Sequence, residues 1–250
     1  MADYVQASIN SNIVARPKAR HLGPGLLRCA SCPSPWRAAI LDHDPLRVTK
    51  KMSSLFLSVS VPDPASEYHK TCDRMLIQAA LRSFLFTVVG YKHIVFGGHP
   101  SISCLILAVC EDIGIANQNA VTIYQSAFFA ESFPKEYLQF ANFIVTPAES
   151  DAQASLNILR QQMIQAHPYD AAVFIGGEEA SLDEYQQFKQ THPCAKVLAL
   201  KSPGGAAALI DEPEVEDYDE LLDYVGLFAK GLSINIGKKR PLDLPDPEQA

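Results

Sequence analysis

Short apolar runs alternate with amphipathic stretches along most of the chain, beginning at Leu55. The runs have strand length and predict six strands, over residues 55–61, 92–96, 121–124, 143–146, 171–175 and 196–200. Between them, apolar residues at helical spacing predict helices over residues 71–87, 102–113, 151–165, 181–190 and 218–230, with a short helix near Lys135. The alternation predicts an α/β fold: a Rossmann-like, doubly wound, mainly parallel sheet of about six strands with helices on both faces.

The first fifty-one residues show no sustained helical or strand period, and Pro or Gly interrupts them at seven positions between residues 17 and 45. We predict a disordered extension over residues 1–51, one folded domain over residues 52–232 and a loose tail over residues 233–250. Two explanations of the extension stay open. In one, Met52, which directly precedes the first strand, is the true start; in the other, the Arg-rich, acid-poor extension is an organelle-targeting peptide.

Charge is distributed unevenly between the extension and the domain. Residues 1–51 carry eight Lys and Arg against three Asp, a balance of +5, whereas the remaining residues carry thirteen against twenty-five, a balance of −12. An acidic domain does not favour nucleic-acid binding. No apolar run reaches the roughly 20 residues that cross a bilayer, and the N-terminus shows no secretory pattern. We therefore expect a cytoplasmic protein with neither a nucleic acid nor a membrane as partner.

The residues that usually hold metals are scattered. The six cysteines are typical of reduced thiols, and the Cys29–Cys32 CxxC motif has no second half at zinc spacing. No Gly-x-Ser-x-Gly elbow is present, which argues against a serine hydrolase. We expect no metal site and no resident cofactor.

Three predicted strands end in a glycine pair just before a predicted helix. The turns after the second, fifth and sixth strands contain, respectively, Gly97, Gly98, His99, Pro100 and Ser101; Gly176, Gly177, Glu178 and Glu179; and Gly204, Gly205 and Ala206. Free N–H groups at a helix N-terminus favour an anion, and glycine lets a phosphate approach the main chain. Ligands of such sheets lie beyond the carboxyl ends of the strands. The turns thus predict a phosphate-binding crevice, against the alternative that the glycines serve tight turns only.

Neither of the familiar phosphate motifs is present. The first strand is followed by "LSVSVPDP" instead of GxGxxG, which disfavours an ordinary dinucleotide-dependent dehydrogenase. GxxxxGK[ST] is also absent, which disfavours a kinase or GTPase.

Individual residues near the turns have two interpretations each. His99 can donate to a phosphate or ribose oxygen, best when protonated, or can cap and pack. Pro100 suits the first helical turn, and Ser101 can bond a phosphate or cap the helix. Ser58 and Ser60, at the end of the first strand, are candidates for the pocket floor.

The segments "LFLSVSVPDP", "HIVFGGHPSIS", "AAVFIGGEEASLDEYQQF" and "SPGGAAAL", in this order, resemble the SLOG superfamily, which is related to LOG phosphoribohydrolases and DprA. Within it they look most like the stand-alone bacterial group with GGHP after its second strand. The resemblance covers about residues 52–232. It implies a pocket for nucleotides or NAD-derived molecules such as ADP-ribose, in some members as sensors in bacterial defence.

The LOG enzymes cleave the N-glycosidic bond of nucleoside 5′-monophosphates with an arginine and a glutamate near PGGxGTxxE. Here Ile175 replaces the proline, and Glu179 and Ala180 replace the second glycine and the threonine. By resemblance, Arg160 lies about where the arginine falls, and Asp183 or Glu184 stands for the carboxylate. Arg160 can equally be a solvated helix residue, and carboxylates in a first turn are expected from the helix dipole alone.

Three functions follow as hypotheses. The first is binding or sensing of a nucleotide-derived ligand, with its phosphates held by the glycine turns and Arg160. The second is a LOG-like hydrolase of nucleoside monophosphates or NAD derivatives, with Arg160, Asp183 and Glu184 as catalytic candidates. The third is a structural interaction partner. Because LOG-like proteins commonly dimerise, the resemblance also makes a homodimer an expectation.

Overall fold

The central feature of the fold is a sheet of six parallel strands, seen in a computed structural model that describes residues 53–115, 120–140, 142–213 and 222–240. The strands are β1 (Ser54–Ser60), β2 (His93–Gly97), β3 (Val121–Ser126), β4 (Phe143–Thr146), β5 (Tyr169–Gly176) and β6 (Lys196–Ala199). Their order is β4-β3-β2-β1-β5-β6. The predicted Rossmann-like α/β fold is thereby confirmed.

In the described part of the chain, five α-helices cover the sheet: α1 (Arg74–Val88), α2 (Pro100–Ile113), α3 (Ala152–Gln165), α4 (Glu179–Thr191) and α5 (Tyr224–Gly231). Helix α1 packs against α2 and α5, and α3 packs against α4. Right-handed crossovers put these two groups on opposite faces, because the chain moves along the sheet in one direction from β1 to β4 and in the other from β4 to β6.

The helix starts follow from their caps. Asp73 accepts hydrogen bonds from the N–H groups of Met75 and Leu76, at 2.8 and 3.1 Å, so α1 begins three residues later than predicted. Asp151 caps α3 in the same way, through Ala154 N at 2.9 Å. The last helix begins at Tyr224 in the described part of the chain, whereas the prediction began at residue 218, within the undescribed segment 214–221.

An aromatic cluster fixes α4 to the sheet. Phe56 of β1 lies under Phe188 of α4 with ring centroids 5.4 Å apart, and Tyr169 and Phe174 of β5 pack beside Phe56 at 5.9 and 6.0 Å. All four side chains are buried. This packing sets the position of α4 over the end of β5, where the glycine turns lie.

The topology creates one switch point in strand order. The chain runs from β1 outward to β4 and then crosses to β5 on the other side of β1. Ligands of open α/β sheets bind at such a point, beyond the carboxyl ends of the two strands. Here those ends are Ser60 and Gly176, which are register partners.

The extension predicted over residues 1–51 lies outside the described residues, as do residues 241–250 of the predicted loose tail. The described start of that tail is held against the domain. Tyr91 donates to the carbonyl of Lys238 at 2.6 Å, and Arg240 lies over the Tyr91 ring, 4.9 Å from its centroid. Arg240 also donates to the carbonyls of Phe86 and Val89.

Arg240→Ala is expected to destabilise the protein by about 1 to 2 kcal/mol, because the last turn of α1 has no basic residue of its own and loses two carbonyl partners and a cation–π contact. Chemical denaturation measures the difference. The exposed neighbour Lys239, changed to Ala, is the matched control and should leave the free energy of unfolding unchanged. Equal effects of Arg240→Ala and Lys239→Ala would contradict a stabilising role for the contacts of Arg240.

No described helix has the length and apolar character needed to span a membrane.

Candidate functional site

The glycine turns after β5 and β6 meet at the switch point. Gly177 donates its N–H to the carbonyl of Ser60 at 2.8 Å, and Ala206 donates to the carbonyl of Gly177 at 3.0 Å. A Cβ on Gly205 would lie only 2.8 Å from the carbonyl carbon of Gly176. The ends of β1, β5 and β6 therefore form one packed corner.

Packing within the protein explains why this corner contains glycine. All four glycines have φ between 67° and 80°, a region that other residues rarely adopt. A Cβ on Gly204 would lie 2.8 Å from the carbonyl carbon of Thr71, and one on Gly176 would lie 2.6 Å from the carbonyl oxygen of Ser60. This corrects the physical reason given for these glycines: the space that they leave is filled by the protein's own atoms. Glycine alone consequently does not indicate a phosphate here.

The third turn lies on the other side of β1, after β2. Gly98 donates to the carbonyl of Tyr124 at 2.8 Å and accepts a hydrogen bond from the side chain of Gln125. A Cβ on Gly98 would lie 2.7 Å from Ile123 Cγ2, whereas one on Gly97 would meet nothing closer than 3.9 Å. Of the three predicted turns, two touch each other, and the β2 turn has surroundings of its own.

His99 in the β2 turn is partly buried, and its Nδ1 has no partner among the described residues. Burial lowers the pKa of His99, which favours a neutral imidazole in the unliganded protein rather than the protonated donor. Its side chain does not cap α2, so the capping interpretation is wrong; only its carbonyl accepts from Ile102 and Ser103, both at 3.0 Å. Pro100 and Ser101 begin α2, but their side chains lie outside what the structure describes.

Arg160 and Glu184, from α3 and α4, lie together beneath the corner. Arg160 Nε is 3.5 Å from Glu184 Oε1, and Nη1 donates to Asn157 Oδ1 at 3.1 Å. Arg160 is only 6% exposed, which excludes the interpretation as a solvated surface arginine.

Serines of β1 and α4 complete this cluster. Ser58 donates to Ser181 Oγ at 3.3 Å, and both residues are buried. Burial raises the pKa of Glu184, although its contacts with Ser58 and Arg160 act in the opposite direction. Burial thus disfavours the charged form of the carboxyl group that faces the guanidinium of Arg160, which is always charged.

The structure distinguishes the two carboxylates that the sequence left as alternatives. Asp183 is exposed and lies in a groove between α3 and α4 whose other lining includes Gln153 and Gln187. Glu184 is the carboxylate beside Arg160. Ser60 contributes its carbonyl to the corner, and the Ala206 side chain is fully buried.

The sequence matches the model of the SLOG cluster3 family over residues 67–232. The chain belongs to the SLOG cluster3 family. No curated protein matches it. The matched range contains all three glycine turns together with Arg160 and Glu184, whereas β1, with Ser58 and Ser60, precedes it.

In this SLOG domain the two glutamates of the β5 turn contact the β1–α1 loop, residues 61–73. Glu178 accepts from the N–H of Asp63, and Glu179 accepts from the Tyr68 hydroxyl at 2.6 Å. The bond to Glu179 is the main cause that raises the pKa of Tyr68. Within the described residues, the N–H groups of Glu178, Glu179 and Ala180 have no hydrogen-bond partner, so the first turn of α4 retains free donors.

Sequence reasoning missed three residues of the SLOG site: Asn157, Ser181 and Tyr68. Asn157 precedes Arg160 by three positions on one helix. This spacing places the two side chains next to each other, so their contact could have been predicted from the sequence. The hydrogen bond of Tyr68 could not have been predicted from the sequence, because its partner Glu179 is 111 positions away in the chain.

The described residues contain no group of three or more His, Cys, Asp or Glu that could hold a metal ion. The four cysteines among them, Cys72, Cys104, Cys110 and Cys194, are free thiols. The CxxC motif of Cys29 and Cys32 lies outside the described residues.

Proposed function

We propose that this SLOG domain binds a nucleotide-derived ligand of the ADP-ribose or NAD type and does not cleave it. The observation that carries the proposal is the buried guanidinium of Arg160, next to a helix whose first-turn N–H groups have no hydrogen-bond partner among the described residues. These donors lie at the switch point of a doubly wound sheet. Binding of this kind would serve a sensor, in a bacterial defence or stress response.

The charge balance of the cluster supports an anionic ligand. Burial raises the pKa of Glu184, so the surroundings of this carboxyl group disfavour a negative charge beside Arg160. A guanidinium can bind a phosphate in bidentate fashion through charge-assisted hydrogen bonds. The N-terminus of α4 adds a positive dipole end at the same edge of the sheet.

The contacts that the nearby carboxylates already make favour binding of a ligand over its hydrolysis. Glu184 contacts Arg160, Glu179 accepts from Tyr68, and Asp183 lies in the outer groove. General acid or base catalysis at a glycosidic bond needs a carboxyl group that reaches the reacting atoms. Each of these three carboxylates either contacts another residue of the protein or lies in the outer groove, so none is placed as a catalytic carboxyl group would be.

Hydrolysis of an N-glycosidic bond is the second candidate, and one observation favours it. Arg160 and Glu184 are the residue types of the LOG active site and lie 3.5 Å apart. A buried glutamic acid with a raised pKa is suited to protonate a leaving group.

Isothermal titration and thermal shift with AMP, ADP-ribose, NAD and cyclic ADP-ribose test the proposal, with Arg160→Ala as the decisive variant. We expect at least one compound to bind the wild type and Arg160→Ala to weaken its binding at least 10-fold, equivalent to about 1.4 kcal/mol, because the charged donor is removed. Arg82→Ala, at an exposed position of α1, is the matched control and should bind normally.

Chromatography of the compounds recovered after incubation distinguishes binding alone from hydrolysis. Recovery of intact ligand supports binding alone. Release of free base that is lost in Glu184→Gln would establish the hydrolase instead. If none of the four compounds binds or stabilises the wild type, the proposed function is wrong and the third hypothesis, a structural interaction partner, replaces it.

A further inference from the structure

Glu184 faces a single opposite charge from the elements that pack most closely on α4. Those elements are α3, β1 and the short 3-10 helix Ala206–Leu209. Arg160 is the only charged or titratable residue in the three of them. Its Nε lies 3.5 Å from Glu184 Oε1, and Arg160 itself is buried. The charge of the Glu184 carboxylate is therefore balanced by one guanidinium.

The other charged groups on or beside α4 have partners of their own or lie in the outer groove. Lys189 pairs with Glu212 of the loop that follows the 3-10 helix, at 2.6 Å. Glu179 accepts a hydrogen bond from the Tyr68 hydroxyl. Asp183 is exposed, and its negative charge is the smallest of the causes that affect the pKa of Glu184. None of these groups replaces Arg160 as a positive partner of Glu184.

Two buried serines allow Glu184 to change its protonation state without losing a hydrogen-bond partner. Ser58 contacts Glu184, and its Oγ lies 3.3 Å from Ser181 Oγ. A hydroxyl group can donate one hydrogen bond and accept others. Ser58 can therefore donate to an ionised carboxylate, or accept from a protonated one while it donates to Ser181. Both states of the carboxyl group are compatible with the same positions of the side chains.

A phosphate that binds Arg160 competes with Glu184 for the same guanidinium. Two anions beside one buried cation leave an uncompensated negative charge, which is costly away from water. We propose that Glu184 is the proton-coupled counter-ion of the anion site: it pairs with Arg160 in the unliganded protein and yields the guanidinium to the ligand phosphate by taking up one proton. The proton comes from the solvent and is bound by a carboxylate oxygen. The inference rests on the proposed function and adds the regulation of the same site.

The sign of the pH dependence follows from linkage. Burial already raises the pKa of Glu184 from the ordinary value of 4.5, and the contact with Arg160 opposes this rise. A ligand that takes over the guanidinium removes the opposing contact, so ligand binding raises the pKa of Glu184 further. Ligand and proton then favour each other's binding, and the affinity for an anion increases as the pH falls towards the pKa of Glu184.

Isothermal titration with ADP-ribose, in buffers of different ionisation enthalpy, measures the number of protons taken up per ligand bound. ADP-ribose is the preferred probe because each of its phosphates is esterified or bridged, whereas the phosphate monoester of AMP has a second pKa of about 6. We expect the wild type to take up protons on binding. Its affinity should be about 3- to 10-fold higher at a pH of about 5.5 than at about 7.5.

Glu184→Gln keeps the size of the side chain and removes its charge and its titration. It should lose the proton uptake of Glu184 and should bind at the higher pH about as tightly as the wild type binds at the lower pH. Ser58→Ala keeps both charged residues and removes a donor that favours the ionised carboxylate, so proton uptake should move to higher pH. Glu111→Gln, at an exposed position of α2, is the matched control and should behave as the wild type.

Equal affinity at both pH values without proton uptake, in a wild type that binds ADP-ribose, would overturn the counter-ion role and leave the proposed function intact. Uptake that persists unchanged in Glu184→Gln would overturn it as well, since another group would then bind the proton. If the wild type binds AMP only, the difference between wild type and Glu184→Gln gives the same test, because the phosphate's own titration is common to both. If the wild type binds none of the compounds, the proposed function is wrong and the counter-ion role is wrong with it.

Discussion

Gly204→Ala is expected to destabilise the protein by about 2 to 5 kcal/mol. An alanine at φ 73° costs roughly 1 to 2 kcal/mol in backbone conformation alone. Its Cβ would also meet main-chain atoms of the β1–α1 loop, 2.8 Å from the carbonyl carbon of Thr71 and 2.9 Å from Cys72 Cα. Those atoms cannot move without lifting a loop whose end is held by the bond from Asp73 N to the carbonyl of Pro203, 2.9 Å long. Overpacking of this kind costs a further roughly 1 to 3 kcal/mol.

Two other glycines separate the conformational cost from the steric one. Gly114 has the same φ of 73°, but no atom of the described residues lies within 4 Å of a Cβ placed there, so Gly114→Ala should lose only the conformational part, about 1 to 2 kcal/mol. Gly97 has neither a positive φ nor a contact closer than 3.9 Å, so Gly97→Ala should be close to neutral. Urea unfolding of the three variants measures the series. Equal losses at Gly114 and Gly204 would show that packing of the loop contributes nothing.

Stability is expected to fall by roughly 3 kcal/mol as the pH decreases from about 6.5 to about 4, through His167. Burial, and secondarily the charge of His93, lowers the pKa of His167 from 6.5 to about 4. The unfolded chain therefore binds a proton in this range that the folded protein does not, and each pKa unit corresponds to about 1.36 kcal/mol. The contribution is complete above the unfolded pKa and is lost as the pH falls through the folded one.

The neutral form of His167 is fixed by its surroundings. It is 5% exposed, and its Nε2 is 2.9 Å from the hydroxyl of Tyr124, while the ring of Tyr169 packs beside it. The raised pKa of Glu184 acts in the opposite sense, since it favours the folded state at lower pH. The comparison of wild type with His167→Gln therefore isolates the histidine, because glutamine can reach the Tyr124 hydroxyl and does not titrate.

The measurement is the free energy of unfolding by urea at intervals between pH 4 and pH 7.5. The wild-type curve should rise more steeply with pH than the His167→Gln curve over this window. Parallel curves would mean that His167 does not remain neutral in the folded protein.

Much of the fold was predictable because the strands are buried on both faces. Strand β5, for example, is predicted by the apolar run "AAVFI", whose residues are all buried in the structure. The glycine pairs could be located for a similar reason, since a strand that must turn at once into a helix needs residues that tolerate positive φ, as at Gly176 and Gly205. What the pairs touch was not predictable, because Thr71 is 133 positions from Gly204 in the chain.

The site residues likewise divide into features that the sequence predicted and features that depend on long-range packing. Arg160 was identified through resemblance, but the choice between Asp183 and Glu184 depends on which one faces α3. A helix rotates by about 100° per residue, so neighbouring carboxylates point in different directions, and only the packing of Phe188 on Phe56 fixes the rotation of α4.

The sequence by itself determined the six strands, the three glycine turns and the family, since these depend on local hydrophobic period, backbone conformation and ordered motifs. Tertiary structure alone decided that the β5 and β6 turns close on each other and on the β1–α1 loop, and that Arg160 pairs with Glu184. The physical reason is that burial and pairing arise between segments far apart in the chain, where neither composition nor spacing records the distance between two atoms.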